Sequence, residues 1–271
     1  MPPRIAIPMP HSIDHEYAER AIPQYERAVE RAGGESVRIP LDQTPAEVMK
    51  TIELCDGVLL PGSKADVDPA KFSATRSPHT AAADPQRDAV DELLLRDAYN
   101  LRKPILGICY GLQSLNVYRA GSLIQHIPDF LPQELWARVD HEAGKKVAVA
   151  HVVEIESDSR LAEIVDGRIR EDREWHGFSR ADKDSDRNGA LAPDRSKFVV
   201  PVNSSHHQSA DTIGEGLRIS ARCPDDGIIE AVEGTAPDHF VLAVQWHPER
   251  SVDDDEPSRA IFRALIKAAA K

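Results

Sequence analysis

The stretch Gly107-Ile108-Cys109-Tyr110-Gly111-Leu112-Gln113 sets a cysteine between glycines, where an apolar run gives way to a helical pattern. A cysteine on such a strand-to-helix turn stands above a parallel sheet, beside a helix N-terminus whose dipole favours thiolate over thiol. Gly107 and Gly111 suit that turn, which leaves no room for side chains on either flank. A nucleophilic thiol needs a base, and the base needs an orienting group. Val244-Gln245-Trp246-His247-Pro248-Glu249 offers both at the end of a strand pattern. Residues two apart in extended chain face one side, so His247 and Glu249 can pair as base and orienter. Cys55 and Cys223 lack such flanks and read as buried structural thiols.

These groups need a frame to position them. Residues 4–7, 37–40, 57–60 and 104–108 read as strands, the last as the near-continuous apolar run of a strand buried on both faces. Helices are expected over 14–32, 45–54 and 86–101, and again after Cys109. In the first of these, Tyr17, Ala21, Tyr25, Ala28 and Ala32 recur three or four apart, and Gly33-Gly34 ends the pattern. The alternation predicts a doubly wound α/β fold with helices on both faces of a mostly parallel sheet. The second half is richer in strand patterns, at 146–156, 217–221, 228–233 and 241–245, with a last helix over 257–270. Residues 166–197 break the order: sixteen of 32 are charged, eight of each sign, and no apolar period survives. They read as a solvated insertion, with a lid or partner surface anchored by Trp175 and Phe178 as the other reading. One domain over 1–271 carrying that insertion is expected.

Composition narrows the classes. The 271 residues are 41% hydrophobic and 29% charged, which fits a folded globular chain with a sizeable core. Lys plus Arg less Asp plus Glu is 33 − 45 = −12, a surface charge that repels phosphate backbones, so no nucleic-acid partner is expected. No apolar run reaches the ~18 residues of a membrane span, and no signal-type segment precedes residue 5. Three scattered cysteines make no disulfide framework or zinc knuckle, so a reducing cytoplasm is the simplest location. No glycine-rich phosphate loop or His-Glu-x-x-His motif is present, and adjacent His206 and His207 would face opposite ways. No cofactor or metal is therefore expected.

The motifs together resemble the class I glutamine amidotransferases, in particular their γ-glutamyl-γ-aminobutyrate hydrolase (peptidase) branch. The resemblance runs through Ala32-Gly33-Gly34, Leu60-Pro61-Gly62-Ser63, Asp66-Val67-Asp68-Pro69, Asp84 to Asp88 and Pro104 to Gln113. It continues through Asn116-Val117, Gly121-Ser122-Leu123, Ala150-His151-Val152, Asn203 to Gln208 and Gln245 to Glu249, covering nearly everything outside the charged insertion. It implies a flavodoxin-like fold of the amidotransferase type. It implies that Cys109 attacks a γ-glutamyl amide to form a thioester, and that His247, held by Glu249, protonates the leaving amine and then activates water. Backbone N–H groups of Ser63 and Tyr110 would bind the oxyanion, each worth ~3 kcal/mol in the transition state. Gly62, Gln113 and the Ser204-Ser205-His206 turn would meet the glutamyl moiety. For His206 a substrate-side and a structural role both stand; His207 reads as structural, and Arg87 and Asp88 as surface charge or a local brace.

Three positions depart from the usual pattern: Ser63 where a second glycine is common, Tyr110 where an arginine often follows the nucleophile, and Ala120 where a glycine is common. They leave the triad intact and bear on substrate preference. The implied substrates are small γ-glutamyl amines such as γ-glutamyl-GABA or γ-glutamyl polyamines, which would place the enzyme in polyamine catabolism. A glutaminase subunit feeding ammonia to a separate synthetase, and a non-catalytic binding protein of the same fold, are the alternatives. A homo-oligomer is possible on this reading.

Overall fold

Nine strands form one continuous sheet in the computed structural model, which describes residues 1–166 and 197–270. In chain order the first half runs β1 (Arg4–Pro8), α1 (His15–Arg31), β2 (Glu35–Ile39), α2 (Pro45–Ile52), β3 (Gly57–Leu60), α3 (Pro85–Leu101), β4 (Ile105–Ile108) and α4 (Tyr110–Tyr118). The short elements β5 (Leu123–Ile124), α5 (Ile127–Phe130) and α6 (Gln133–Trp136) follow. The second half is β6 (His151–Glu156), α7 (Arg160–Val165), β7 (Lys197–Val202), β8 (Ser209–Ala210), β9 (Leu217–Arg222), β10 (Ile229–Gly234), β11 (Val241–Val244) and α8 (Glu256–Ala269).

The sheet order is β2-β1-β3-β4-β11-β10-β9-β6-β7, and β5 pairs with β8 separately. Pairs from β2 to β11 are all parallel, and those from β11 to β7 are all antiparallel. Following those directions across, only β10 and β6 oppose the other seven, so the sheet is α/β and mostly parallel as expected. Its first five strands repeat the 2-1-3-4-5 order of flavodoxin-like folds.

Alternation along β1 shows how the core divides. Ile5 and Ile7 pack on the side covered by α1 and α8, while Ala6 joins the opposite side, with α2, α3 and α4. Both sides are buried, as the apolar runs of β3 and β4 require. Helix starts follow their sequence signals. Asp14, Thr44, Asp84 and Asp255 cap α1, α2, α3 and α8, and Thr44 with Glu47 completes a capping box.

The longer elements agree with the sequence reading to within a few residues, with exceptions at 146–150, α7 and β7, and the short β5, α5, α6 and β8 lie where no element was expected. Residues 146–150, expected in a strand, precede β6 as turn and irregular chain. Helix α7, six residues long, and strand β7 were not anticipated. Pro201 inside β7 weakens its strand signal, and β7 indeed lies at the edge of the sheet, where proline is tolerated. The charged insertion, with Trp175 and Phe178, lies outside the described residues apart from its ends. Among the described residues no helix is long and apolar enough to cross a membrane.

Candidate active site

Three adjacent strands, β3, β4 and β11, end at the same edge of the sheet, and their neighbours lie about 4.8 Å apart. The residues that follow them are Pro61-Gly62-Ser63, Cys109 and Gln245-Trp246-His247. Parallel pairing thus brings the proposed oxyanion turn and nucleophile together at the carboxyl ends of the strands, where open α/β sheets bind their ligands, and delivers the chain that carries the proposed base to the same edge.

Cys109 sits between β4 and α4 with φ 54° and ψ −104°, a left-handed conformation that strains any non-glycine residue. The flanking glycines make the turn possible by close packing. A Cβ on Gly111 would lie 2.2 Å from the Leu60 carbonyl oxygen, and one on Gly107 would lie 2.8 Å from that of Gly111. The Cys109 side chain faces His247: a Cβ built on Gly62 would lie 3.7 Å from Cys109 Cβ and 3.1 Å from His247 Cε1. His247 Nδ1 lies 2.7 Å from Glu249 Oε1, and all three residues are buried. Burial disfavours a charged imidazole here. The Glu249 carboxylate, and then Cys109, outweigh it and raise the His247 pKa to about 9. Burial likewise opposes ionisation of Glu249, yet its contact with His247 holds it below the ordinary value of 4.5.

The expected oxyanion donors are backbone groups. Tyr110 is the first residue of α4, so its N–H has no acceptor within the helix. In the Pro61-Gly62-Ser63 turn, proline has no N–H and Gly62 donates to the Tyr25 hydroxyl at 3.0 Å, so of the three only the Ser63 N–H is open to the expected role. Ser63 does not have positive φ, so serine in place of glycine costs nothing in backbone strain. Gly62 is held to its size, because a Cβ there would lie 3.1 Å from both His247 Cε1 and the Tyr25 hydroxyl.

Arg87 is a brace, as one of its two readings held, but it is fully buried. Its guanidinium donates to the carbonyls of Pro61 and Pro10, pairs with Asp91 at 2.7 Å and lies over the Tyr110 ring. The Tyr110 hydroxyl in turn donates to Asp88. Cys55 and Cys223 are buried free thiols, pushed up by burial to about 11 and about 12.

Other expected substrate contacts are placed less openly. The Gln113 amide is buried and donates to the Gln208 carbonyl and to Gln245 Oε1, both at 3.3 Å. Ser204 is fully buried with an unpaired hydroxyl, and Ser205 is half-buried. The His206 ring is enclosed and turned toward Glu230, 3.4 Å away, so the structure presents it inside the protein beside His141 and His151. His207 faces Asp66 at 3.2 Å. Two residues without a sequence-assigned role belong to the site's support. Asn203 clamps the His247 backbone, accepting from its N–H at 2.9 Å and donating to its carbonyl at 2.8 Å. Tyr25, read only as a helix-face residue, fixes Gly62.

The Peptidase C26 family model matches residues 5–249, a span that includes every residue of this site. The chain belongs to the Peptidase C26 family. Similar proteins within reach of that match include γ-glutamyl-γ-aminobutyrate hydrolase PuuD of Escherichia coli, 32% identical over 249 residues, covering 90% of this chain and 84% of that protein. Rv2859c of Mycobacterium tuberculosis, whose name assigns it provisionally to the glutamine amidotransferases, is 36% identical over 90% of this chain and 66% of its own length. Among solved structures, the CTPS glutaminase domain of Trypanosoma brucei superposes with a TM-score of 0.55 at 18% identity, covering 99% of this chain and 94% of that one. That likeness shows a class I glutamine amidotransferase fold. The C26 family and its hydrolase relatives make this chain a hydrolase of amide bonds.

Proposed function

We propose that this C26 protein hydrolyses the γ-glutamyl amide bond of small γ-glutamyl amines, releasing glutamate through a thioester on Cys109. The observation that carries the reading is the buried Cys109–His247–Glu249 chain on a strained turn, with backbone donors of Ser63 and Tyr110 beside it. With His247 protonated, Cys109 supplies the nucleophilic sulfur and His247 the proton for the departing amine. Neutral His247 then takes a proton from water as it attacks the thioester. The oxyanion forms between the N–H groups of Ser63 and Tyr110, where preorganised dipoles stabilise it. Gly62 keeps the space beside sulfur and imidazole narrow, and half-buried Ser205 is assigned to the glutamyl end with buried Ser204 behind it. Gln113, bonded to Gln208 and Gln245, positions this wall.

The test is the initial rate of glutamate release from γ-glutamyl-GABA beside glutamine, with Cys109→Ala as blank. Faster turnover of γ-glutamyl-GABA supports a free-standing hydrolase. Preference for glutamine favours the ammonia-donor reading that the name of Rv2859c suggests. Cys109→Ala should abolish release from either substrate while preserving the circular dichroism spectrum; retained activity would refute the nucleophile.

A further inference from the structure

The side chains of His141, His151, His206 and Glu230 converge from four separate segments, and their donor atoms all lie within 4.8 Å of one another. Their side chains are 3%, 4%, 1% and 0% exposed, so the cluster is sealed from solvent. Glu230 Oε1 lies 3.1 Å from His141 Nδ1 and 3.4 Å from both His151 Nε2 and His206 Nε2. None of these four inward atoms has a partner in good hydrogen-bond geometry.

The outward nitrogens explain why. His151 Nδ1 faces the Val152 carbonyl at 2.9 Å, His206 Nδ1 the Gln208 carbonyl at 2.8 Å, and His141 Nε2 the Asp226 carboxylate at 2.8 Å. All three partners only accept, so in its neutral form each ring spends its one proton outward and points a lone pair inward; His141, between the Asp226 and Glu230 carboxylates, is the ring that would give up a second, inward proton to an arriving ion. Three lone pairs and a carboxylate facing one another in a dry pocket repel, unless a proton or a cation lies between them, and a single proton can serve only one of the three rings. Fixing a ring by its outer N–H is how proteins orient a metal-binding imidazole.

We infer that His141 Nδ1, His151 Nε2, His206 Nε2 and Glu230 form a closed structural site for one divalent transition-metal ion, zinc by its donor set and shape. Three imidazoles and one carboxylate are a four-coordinate zinc set, whereas calcium and magnesium take mainly oxygen. Bonds of about 2.0–2.1 Å in a tetrahedron place ligand atoms about 3.3–3.4 Å apart, and the three measured separations from Glu230 are 3.1, 3.4 and 3.4 Å. Charge balances too: the two positive charges of the ion meet one carboxylate each from Glu230 and Asp226. The ion would tie the chain before β6, the start of β6, the turn after β7 and the start of β10 together. It lies apart from the cysteine chemistry and would hold the turn that carries Asn203.

The experiment is elemental analysis of the full chain, made without a polyhistidine tag and dialysed against metal-free buffer, with a thermal melt of the same sample. About one zinc per chain is expected. Chelation should lower the melting temperature, and added zinc should restore it. Glu230→Gln, which keeps the volume, and His151→Ala should each lose most of the zinc, whereas Cys109→Ala and His126→Ala should keep it. Cobalt taken up by the stripped protein should show the intense visible bands of a tetrahedral site. Wild-type protein with no stoichiometric metal and no thermal response to zinc would overturn the proposal, even if the variants fail to fold. Zinc kept in full by both Glu230→Gln and His151→Ala would also overturn it, and another metal in its place would overturn the choice of zinc.

Discussion

Replacing Glu249 by Gln removes a charge from the triad while preserving its size and an oxygen able to accept from His247 Nδ1. In the intact protein Glu249 holds the His247 pKa at about 9, against burial. Without the carboxylate, burial, the largest influence, is opposed only by Cys109, and the value should fall to near the ordinary 6.5. That difference, about 2.5 pH units, corresponds to about 3 kcal/mol. On the proposed mechanism the imidazolium protonates the departing amine, so activity should follow its population. At pH 7.5 that population falls from nearly complete to about a tenth, whereas at pH 5.5 both proteins are almost fully protonated. Glu249 itself, held below 4.5, stays ionised in the wild type at both pH values. The assay is kcat/KM for glutamate release between pH 5 and pH 10. The falling limb should move from about 9 to near 6.5, and the variant's deficit should shrink about tenfold between pH 7.5 and pH 5.5. Loss of ring orientation would add a deficit equal at both pH values, so the ratio isolates the charge. A limb still near 9, or a deficit that does not change with pH, would refute the electrostatic account of His247.

The same group sets a stability trend. Its folded value lies above the unfolded 6.5, so its contribution is complete below about pH 6.5 and is lost as pH rises through about 9. Melts at pH 6, 8 and 10 should show that loss, and Glu249→Gln should flatten it. Gly111→Ala forces a Cβ to 2.2 Å from a backbone carbonyl that cannot rotate away. It should cost about 3 kcal/mol or prevent folding, and an unchanged melting temperature would contradict the packing at the turn. Ala120 has φ 66° at the position where glycine is common. Ala120→Gly should therefore stabilise by up to about 1 kcal/mol, the strain relieved less the added freedom of the unfolded chain; a lower melting temperature would count against that strain.

What the sequence disclosed was whatever its neighbours in the chain determine. The turn around Cys109 is written in seven consecutive residues, because two glycines and a strand-to-helix change leave few other readings. His247 and Glu249 pair across a single residue, which extended geometry predicts. The parallel frame could be read from four apolar runs separated by helical patterns. Long-range choices were hidden. Arg87 looks like a surface charge on α3 until Pro10 and Pro61 are brought to its guanidinium by the ends of β1 and β3. The histidine cluster was invisible for the same reason. Adjacent His206 and His207 do point different ways, to Glu230 and Asp66. The other members of the cluster come from residues 141, 151 and 230, with no shared motif to announce them.

That division between local and distant information also separates the work of the two halves of the sheet. The parallel half carries the proposed nucleophile and oxyanion turn on successive strand ends, so their relative positions follow from sheet pairing. His247 is different. It stands three residues beyond β11, past the last paired strand residue, where pairing no longer fixes its backbone. The chain leaving edge strand β7 returns over the top of the sheet, and Asn203 holds both the N–H and the carbonyl of His247. Ser204, next in the chain, accepts from Gly144, and His206 donates its backbone N–H to His141. The antiparallel half thus supplies through one turn the constraint that the parallel strands cannot, and the His141–His151–His206–Glu230 cluster lies directly behind that turn. A disturbance of the cluster should therefore reach the catalytic base before it reaches the nucleophile, because Cys109 is fixed by glycine packing between β4 and α4 and His247 by the Asn203 clamp.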